Sequence, residues 1–471
     1  MQGRTLSQAN LPLTNSTSAV AAYDQSPALT SQGGKLAFAF LWLFTFVVYA
    51  RPQDIFPAIN PFHLPLVFGA CAGLTYLEAL ISGQVLFKRP GELVLVLLLT
   101  VWFILGVPFA YWRGGSFEVL TQIWLKTAFL FFLLTQMLTT SGRIRKLLWA
   151  VILSELMATT ASIILQGKEA IQEGTRLVGV NQVMLGWNFL GITAAVTIPY
   201  MAALYVSRRS LLRTGLLLAT FAATFWMLVL TASRGGFLNV TISIVLTWWF
   251  VLRQSPRGRM AGVIITLLLI MAVAKAPDVF WTRVQTIWDN SEASSNSTVI
   301  SAQESTEERK NLLERSIRYS LEYPIFGVGL GNFQVINGTQ LARPNAWLGT
   351  HNTFTQISSE AGIPALVLFL LLLCTALRHA KEADRESHGD VTNIELNLMA
   401  RGTLVSVVSF VFAGFFAHVA YDFFFYYPAG IAAGLWTIVH ESAKVPAPSA
   451  KSRRMFQAMP STKWFAKWPL R

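Results

Sequence analysis

Leu93-Val-Leu-Val-Leu-Leu-Leu-Thr-Val-Trp-Phe-Ile-Leu-Gly-Val-Pro-Phe-Ala-Tyr111 runs without a charged side chain. A helix rises 1.5 Å per residue and the hydrocarbon core of a bilayer is about 30 Å thick, so about 20 apolar residues cross it. In lipid the backbone polar groups have no water to bond, and a helix satisfies them within the segment. This stretch is therefore predicted to be a transmembrane helix. The same criterion gives about twelve spans along the chain. Before it lie Leu36–Ala50 and Phe62–Ile81. After it come Val119–Leu138, Leu147–Leu165, Val183–Val206, Leu212–Ala232, Phe237–Leu252, Gly262–Ala274, Ile363–Leu377, Gly402–Ala420 and Tyr426–Val439. The last two are also readable as a broken pair around Tyr421-Asp422.

Composition agrees. Of 471 residues, 53% are hydrophobic and only 13% charged, against about 25% charged in a soluble globular domain. Mean hydropathy is +0.49. A soluble enzyme is excluded, and the 33 Phe and 15 Trp suit a protein with two membrane interfaces. The 37 Lys and Arg against 24 Asp and Glu read as basic cytoplasmic loops facing anionic membrane lipids, not as a nucleic-acid surface. The two cysteines, Cys71 and Cys374, lie in apolar runs and behave as small apolar residues.

Lys and Arg in the short loops set the orientation. With the N-terminus cytoplasmic, one side carries Lys88/Arg89, Arg143/Arg145/Lys146, Arg208/Arg209/Arg213, Arg253/Arg257/Arg259 and Arg378/Lys381/Arg385/Arg401. The opposite short loops carry Arg51, Arg113, Lys168, Arg176 and Arg234. The expected organisation is a disordered cytoplasmic tail over 1–35, not a signal peptide, then transmembrane helices 1–9 over 36–275. A periplasmic loop over 276–361 follows, then transmembrane helices 10–12 over 362–440, and a basic cytoplasmic tail over 441–471. The fold class is an all-α integral membrane protein with one long, partly helical periplasmic loop.

A connection of that length is usually functional or disordered. Ser305 and Glu308 have capping-box spacing, Leu312, Leu313, Ile317 and Leu321 follow as an apolar run, and Pro324 ends the helix. Asn290 to Thr306 reads as polar and mobile. Next stands Pro324-Ile-Phe-Gly-Val-Gly-Leu-Gly-Asn-Phe333, whose Gly327, Gly329 and Gly331 imitate a dinucleotide fingerprint. No strand–helix unit frames it, so a glycine-rich turn able to approach a ligand is the better reading. In His351-Asn-Thr-Phe-Thr-Gln-Ile-Ser-Ser-Glu-Ala-Gly-Ile-Pro364, Thr350 and Asn352 are candidate caps for a helix reaching Glu360, broken at Gly362-Pro364. His351 would sit at the positive end of that helix, which favours the neutral, proton-accepting imidazole. Gln356 and Glu360 follow at helical spacing, with capping or solvated surface as their plain roles.

Arg176 in Gly174-Thr-Arg-Leu-Val-Gly179 and Arg234 in Thr231-Ala-Ser-Arg-Gly-Gly236 have no acidic residue within three positions except Glu173. A guanidinium at the outer surface suits a phosphate, which it grips with two parallel hydrogen bonds. The plain alternative is an anchor on lipid headgroups. Glu78, Lys126, Glu155 and Asp422 fall within or beside spans. Lys126 and Glu155, on consecutive helices, are candidates to pair. A Walker A sequence is absent, so no ATP site is expected. HExxH is absent too, and no metal is expected.

Ser233-Arg-Gly-Gly, the turn Pro324–Phe333, His351-Asn-Thr and Glu360-Ala-Gly-Ile-Pro together resemble the O-antigen ligase/polymerase superfamily of bacterial membrane proteins. The match in order and spacing covers roughly Arg176 to Pro364. Tyr49-Ala-Arg-Pro-Gln-Asp54 resembles a subgroup of O-glycosylation ligases. The resemblance implies about a dozen membrane helices with a long periplasmic loop. It implies a metal-independent, inverting glycosyltransferase of the inner membrane, working without a cofactor. The glycan passes from an undecaprenyl-diphosphate-linked donor to a hydroxyl of lipid A core, a growing glycan or a protein. It assigns His351 as the catalytic histidine and Arg234 and Arg176 as diphosphate-binding. Arg309 corresponds to an arginine that opens the loop helix. Asn352, Gln356, Glu360, Gly329 and Gly331 are expected to support the site. A polymerase of the same family is the second reading. A transporter or flippase, which would call for inverted repeats or broken midplane helices, is the third.

Overall fold

The apolar stretches become helices. In the computed structural model the described residues are 34–443, apart from 174–175, 178, 181–185, 187–188, 286–296, 342–346 and 390–392. The polar N-terminal stretch to residue 33 and the basic tail from 444 lie outside them. Fifteen helices matter here: α1 Lys35–Ala50, α2 Leu64–Ile81, α3 Gly91–Gly106, α4 Arg113–Met137, α5 Ser141–Gln172, α6 Phe189–Ser207, α7 Leu211–Thr231, α8 Arg234–Leu252, α9 Pro256–Ala274, α10 Asp278–Gln285, α11 Ser297–Glu322, α12 Phe333–Leu341, α13 Thr353–Ser387, α14 Ile394–Gly414 and α15 Phe423–Ala443. Among the described residues ten helices are long and apolar enough to cross a membrane, and α1 is a shorter apolar one. The protein is an all-α integral membrane protein.

Helix α6 is the centre of the bundle. Of its apolar window 89% is buried, against 11% for α9, which turns its side chains outward. It packs chiefly on α14 and α8. Lipid tails are as apolar as leucine, so membrane helices associate through close packing and hydrogen bonds rather than burial of oil. The α6–α8 seam does this with glycine. A Cβ on Gly191 would stand 2.3 Å from the Gly236 Cα, so the two backbones touch. On α14, Gly402 leaves room for the Pro199 carbonyl and Ala203.

Pro199 lies inside α6. It has no N–H to give the Ala195 carbonyl four residues back, and the hydrocarbon interior cannot satisfy that carbonyl. Neighbouring helices bring serine donors to this turn. Ser243 Oγ donates to the Ala195 carbonyl at 2.7 Å and Ser406 Oγ to the Val196 carbonyl at 2.8 Å.

One end of the bundle gathers the basic loops. Arg145 and Arg208 both pair with Glu395 at 2.7 and 2.8 Å, Arg401 pairs with Asp384 at 2.8 Å, and Lys88 with Glu441 at 3.0 Å. Helix α8 has 19 residues, so its Arg234 end lies about 28 Å from that face. The loop helices α10, α11 and α12 belong to the Arg234 end. Leu312, Tyr319, Val328, Phe333 and Ile336 give them a small core of their own.

Several expectations change. Helix α11 begins at Ser297, so Ser305 lies inside it and not at its N-terminus, and residues 297–306 are helical. The continuous helix outcompetes the local cap. Residues 286–296 of the predicted polar segment lie outside the described set. Leu313, Ile317 and Leu321 face outward, at 37%, 46% and 71% exposure, while Leu312 and Tyr319 turn inward. The run was apolar, but its buried stripe is one residue away. The helix does end at Glu322, before Pro324. Lys126 and Glu155 do not pair: Lys126 donates to Gln122 at 2.9 Å on an exposed face, and buried Glu155 accepts from Thr224 at 2.9 Å. The last two spans are separate helices, joined by residues 415–422. Cys71 and Cys374 are free thiols.

Replacing Gly191 with valine drives side-chain atoms into the Gly236 backbone. We expect a loss of about 1–3 kcal/mol, seen as a lower melting temperature in detergent. Gly215, with nothing within 4 Å of its Cβ position, is the control. Gly215→Ala is expected to leave the melting temperature unchanged or raise it.

Candidate functional site

A two-residue turn mounts Arg234. Helix α7 stops at Thr231. Ala232 takes a left-handed conformation, φ 47°, and its N–H bonds the Val229 carbonyl at 3.1 Å. Ser233 then caps α8, its Oγ accepting from the Gly236 N–H at 3.2 Å. Arg234 is the first residue of α8. Arg234 therefore belongs to the positive end of the helix, where anions are favoured. Arg309 Nη1 lies 3.9 Å from where a Cβ on Gly235 would stand, so α11 brings that guanidinium beside the start of α8.

Arg176 is fastened to the end of the preceding helix. Its Nε donates to the Thr231 carbonyl at 2.9 Å, and the Leu177 N–H bonds the Leu230 carbonyl at 3.1 Å. Both use carbonyls that α7 leaves open at its C-terminus, and the cation suits the negative end of that helix. Arg283 comes from α10 and is buried, 7% exposed. Arg309 comes from α11. It lies well inside that helix and does not open it, because α11 starts at Ser297.

These arginines act on one another. Burial, followed by Arg283, Arg309 and Arg234, pushes Arg176 down to about 9. Burial and then the charges of Arg234 and Arg309 lower Arg283. For Arg309, burial and Arg234 lower the value and Glu308 partly offsets them. Four guanidinium groups from four segments thus share one concentrated positive field.

His351 stands beside this cluster. Its backbone is left-handed, φ 51°, a conformation uncommon outside glycine and mostly associated with Asn, Asp and His. Asn352 caps α13, its Oδ1 accepting from the Phe354 and Thr355 N–H groups at 2.9 and 3.0 Å. Burial, then His418, then Arg309, lower the His351 imidazole to about 3. These causes favour the neutral ring, the form expected before a helix N-terminus. The His418 ring lies 5.1 Å away, edge to face.

The glycine-rich turn is scaffold. Helix α13 breaks at Gly362, φ 85° and ψ 172°, and the turn is laced onto that break. Val328 N–H bonds the Ser359 carbonyl at 2.8 Å, Gly329 N–H the Glu360 carbonyl at 2.9 Å, and Ile363 N–H the Pro324 carbonyl at 2.8 Å. A Cβ on Gly327 would fall 2.4 Å from Glu360 backbone, and one on Gly362 would collide with the Ile325 carbonyl. Gly329 and Gly331 both have positive φ, at 102° and 68°. Glu360 and Gln356 are buried, not solvated. Glu360 Oε2 accepts from the Gly331 N–H at 3.0 Å and Gln356 Oε1 from the Ala420 N–H at 3.0 Å. They support the site by holding the turn and the 415–422 connection against the helix that carries the His351 motif.

The expected residues His351, Arg176, Arg234 and Arg309 therefore converge. Asn352, Gln356, Glu360, Gly329 and Gly331 brace them. Two members were missed. Arg283 lay in the long loop with no motif around it. His418 fell in Phe415-Phe-Ala-His-Val-Ala-Tyr-Asp422, which the apolar reading had absorbed to Ala420 in a span. The helix stops at Gly414, and a histidine among aromatics was the available signal. Elsewhere, Arg51 of Tyr49–Asp54 pairs with Asp54 at 2.6 Å, while Tyr49 packs on Phe423 and Tyr427.

No curated protein is similar enough to this chain to match it. Residues 219–370 match the family model described as O-Antigen ligase. That segment runs from α7 into α13 and holds Arg234, Arg283, Arg309 and His351. The part of the chain that carries the site is thus similar to O-antigen ligases, which supports a bacterial membrane enzyme of the glycosyltransferase kind.

Proposed function

We propose that the protein transfers a glycan from undecaprenyl diphosphate to an acceptor hydroxyl of lipid A core or protein, at the periplasmic face of the bacterial inner membrane, without a metal or cofactor. The convergence of four arginines beside one neutral histidine carries this reading. Guanidiniums gathered at the positive end of α8 repel one another and suit an anionic group. A diphosphate relieves that repulsion and accepts their hydrogen bonds. The family match supports the reaction class. The gathering of basic loops at the far end of the bundle supports a periplasmic site with both termini cytoplasmic.

In this mechanism the arginines hold the donor's diphosphate and stabilise the charge that grows on it as the glycosyl bond breaks. His351 takes the proton of the acceptor hydroxyl as its oxygen attacks the anomeric carbon. The configuration at that carbon inverts, and the glycosyl–diphosphate bond supplies the energy. Burial, then His418, then Arg309 disfavour an imidazolium at His351. Bound diphosphate offsets the last of these and so favours proton uptake by the ring.

The test is transfer by the full-length purified protein, with native lipid-diphosphate glycan and a panel of acceptors, with and without chelator. We expect transfer that survives chelator and falls by about 100-fold or more in His351→Ala. Full activity in a stably inserted His351→Ala would remove the base. A glycan lengthened on a second carrier lipid would make the enzyme a polymerase. Carrier movement across vesicles with no transfer would make it a transporter.

Arg234→Lys keeps the charge and loses the planar fork. Its KM for the donor should rise about tenfold, and an unchanged value would dismiss a bidentate contact.

The pH dependence has a defined sign. His351 is lowered from 6.5 to about 3, so in the free enzyme its proton-accepting form persists above that value. From pH 5 to 8, kcat/KM is expected to show no fall on the acid side attributable to His351. An acid limb centred near 6.5 that His351 substitution abolishes would contradict this.

A further inference from the structure

Helices α6 to α9 do not close fully towards the basic end of the bundle. Between them runs a groove of about 500 Å³, counting its open side, to which all four helices contribute, through Tyr205, Phe221, Ile244 and Ala261 among others. Its lining is apolar apart from Tyr205 and Thr247. A narrower apolar void continues it past Phe221 to Phe225 and Leu228. Along α6 the two run from Tyr205 to Ala194, about 16 Å at the rise of a helix. That is about half the hydrocarbon core of a bilayer, the depth of one leaflet. Thr247 is 1% exposed, and its Oγ1 has no hydrogen-bond partner among the described residues. A dry hydroxyl left unsatisfied costs free energy.

The mouth of the groove is cationic. Arg213 stands four residues before Leu217 on α7 and Arg257 four before Ala261 on α9, and Leu217 and Ala261 both line the groove. Residues four apart share a helix face, so each arginine lies one turn nearer the membrane surface than the lining. Both are half-buried. The Arg257 guanidinium lies over the Tyr205 ring, 5.0 Å from its centre. Helices α7 and α9 begin here, capped by Ser210 and Ser255, so two positive helix ends face the same place. No acidic residue occurs in 206–215 or 248–262. The carboxylates that reach this end are engaged elsewhere, Glu395 with Arg145 and Arg208, and Asp384 with Arg401. Trp248, Trp249 and Phe250 are exposed near the same end of α8, the level at which aromatic side chains meet lipid headgroups.

We propose that this groove holds an anionic phospholipid of the adjoining leaflet. One acyl chain fills the apolar channel, the phosphate accepts hydrogen bonds from Arg213 and Arg257, and Thr247 Oγ1 donates to an ester carbonyl below them. Charge selects the occupant. A basic recess between membrane helices suits an anionic headgroup, whereas a zwitterionic lipid brings its own cation against the arginines. The chain also supplies packing that the helices lack. Helix α9 has 11% of its apolar window buried, and the lipid joins it to α6, α7 and α8. Helices α7 and α8 are the pair whose far ends mount Arg234, so the lipid buttresses that hairpin from the opposite leaflet.

Native mass spectrometry of the full-length purified protein reads lipid retention without turnover. The probes are phosphatidylglycerol and phosphatidylcholine with the same acyl chains, added to the detergent. Wild type should retain phosphatidylglycerol about tenfold over phosphatidylcholine. Arg213→Gln with Arg257→Gln should remove that preference. Arg253→Gln with Arg259→Gln removes the same charge and should keep it, since Arg253 lies outside the groove, over the Trp249 ring at 3.7 Å. Ala261→Leu narrows the groove and spares the arginines, and should lower phosphatidylglycerol retention about fivefold. Equal retention of the two lipids by wild type, equal loss in both arginine pairs, or full retention in Ala261→Leu would each overturn the assignment. So would retention of undecaprenyl phosphate in preference to phosphatidylglycerol, which would give the groove to a prenyl chain. If the Arg213–Arg257 pair fails to fold, Arg257→Gln alone and Ala261→Leu decide by the same ratio.

Discussion

Repulsion among Arg176, Arg234, Arg283 and Arg309 is the constraint around which one end of this bundle is built. Like charges brought together in a partly dry place push apart with energies that grow as the local dielectric falls. Each of these groups therefore needs a mount stiffer than a free loop. Arg176 is pinned to the last carbonyls of α7. Arg234 sits on a capped two-residue turn, and the helix beneath it is pressed backbone to backbone against α6 through Gly191 and Gly236. Arg309 rides on α11, which packs on α13. The glycine seam, the left-handed Ala232 and the satellite core of the loop helices are different solutions to one problem: keeping positive groups where they would not stay by themselves.

The histidine side is held by another means. Helix α13 breaks at Gly362, and the turn 324–332 fills the break with main-chain hydrogen bonds. Because Glu360 reaches the Gly331 N–H and Gln356 reaches the Ala420 N–H, the turn, the cap at Asn352 and the 415–422 connection form one braced unit. A change far along the chain, at Gly331 or Ala420, therefore acts on the helix that follows His351.

The membrane bundle was readable because its signal is length and apolarity, which survive any detail of packing. Helix ends were blurred by one or two residues in some places and by as many as ten in others: Ile363–Leu377 is only the middle of Thr353–Ser387, and Gly402–Ala420 overran Gly414 by six residues, since aromatic residues continue into a non-helical connection. That blurring hid His418. The arginines were half legible. Arg176 and Arg234 stand out as cations in short outer loops, whereas Arg283 is one charge among many in a long loop and gains meaning only from where α10 is placed. Ser305-x-x-Glu308 failed because a capping pattern is local, and a helix already running from Ser297 has no end to cap. Leu313, Ile317 and Leu321 were correctly seen as apolar and helical. Which stripe of that helix faces inward depends on α12 and α13, and no local periodicity records it.

Pro199 has a consequence for how the protein is made. It leaves the Ala195 carbonyl without its helical donor, and Ser243, 48 residues further along, supplies one. A chain emerging at about 5–20 residues per second brings that donor about 2–10 s after the carbonyl is made. Until then α6 holds a carbonyl that hydrocarbon penalises. The central helix of the mature bundle is thus made whole only by its partners, first by α8 and then by α14, whose Ser406 adds a bond at Val196.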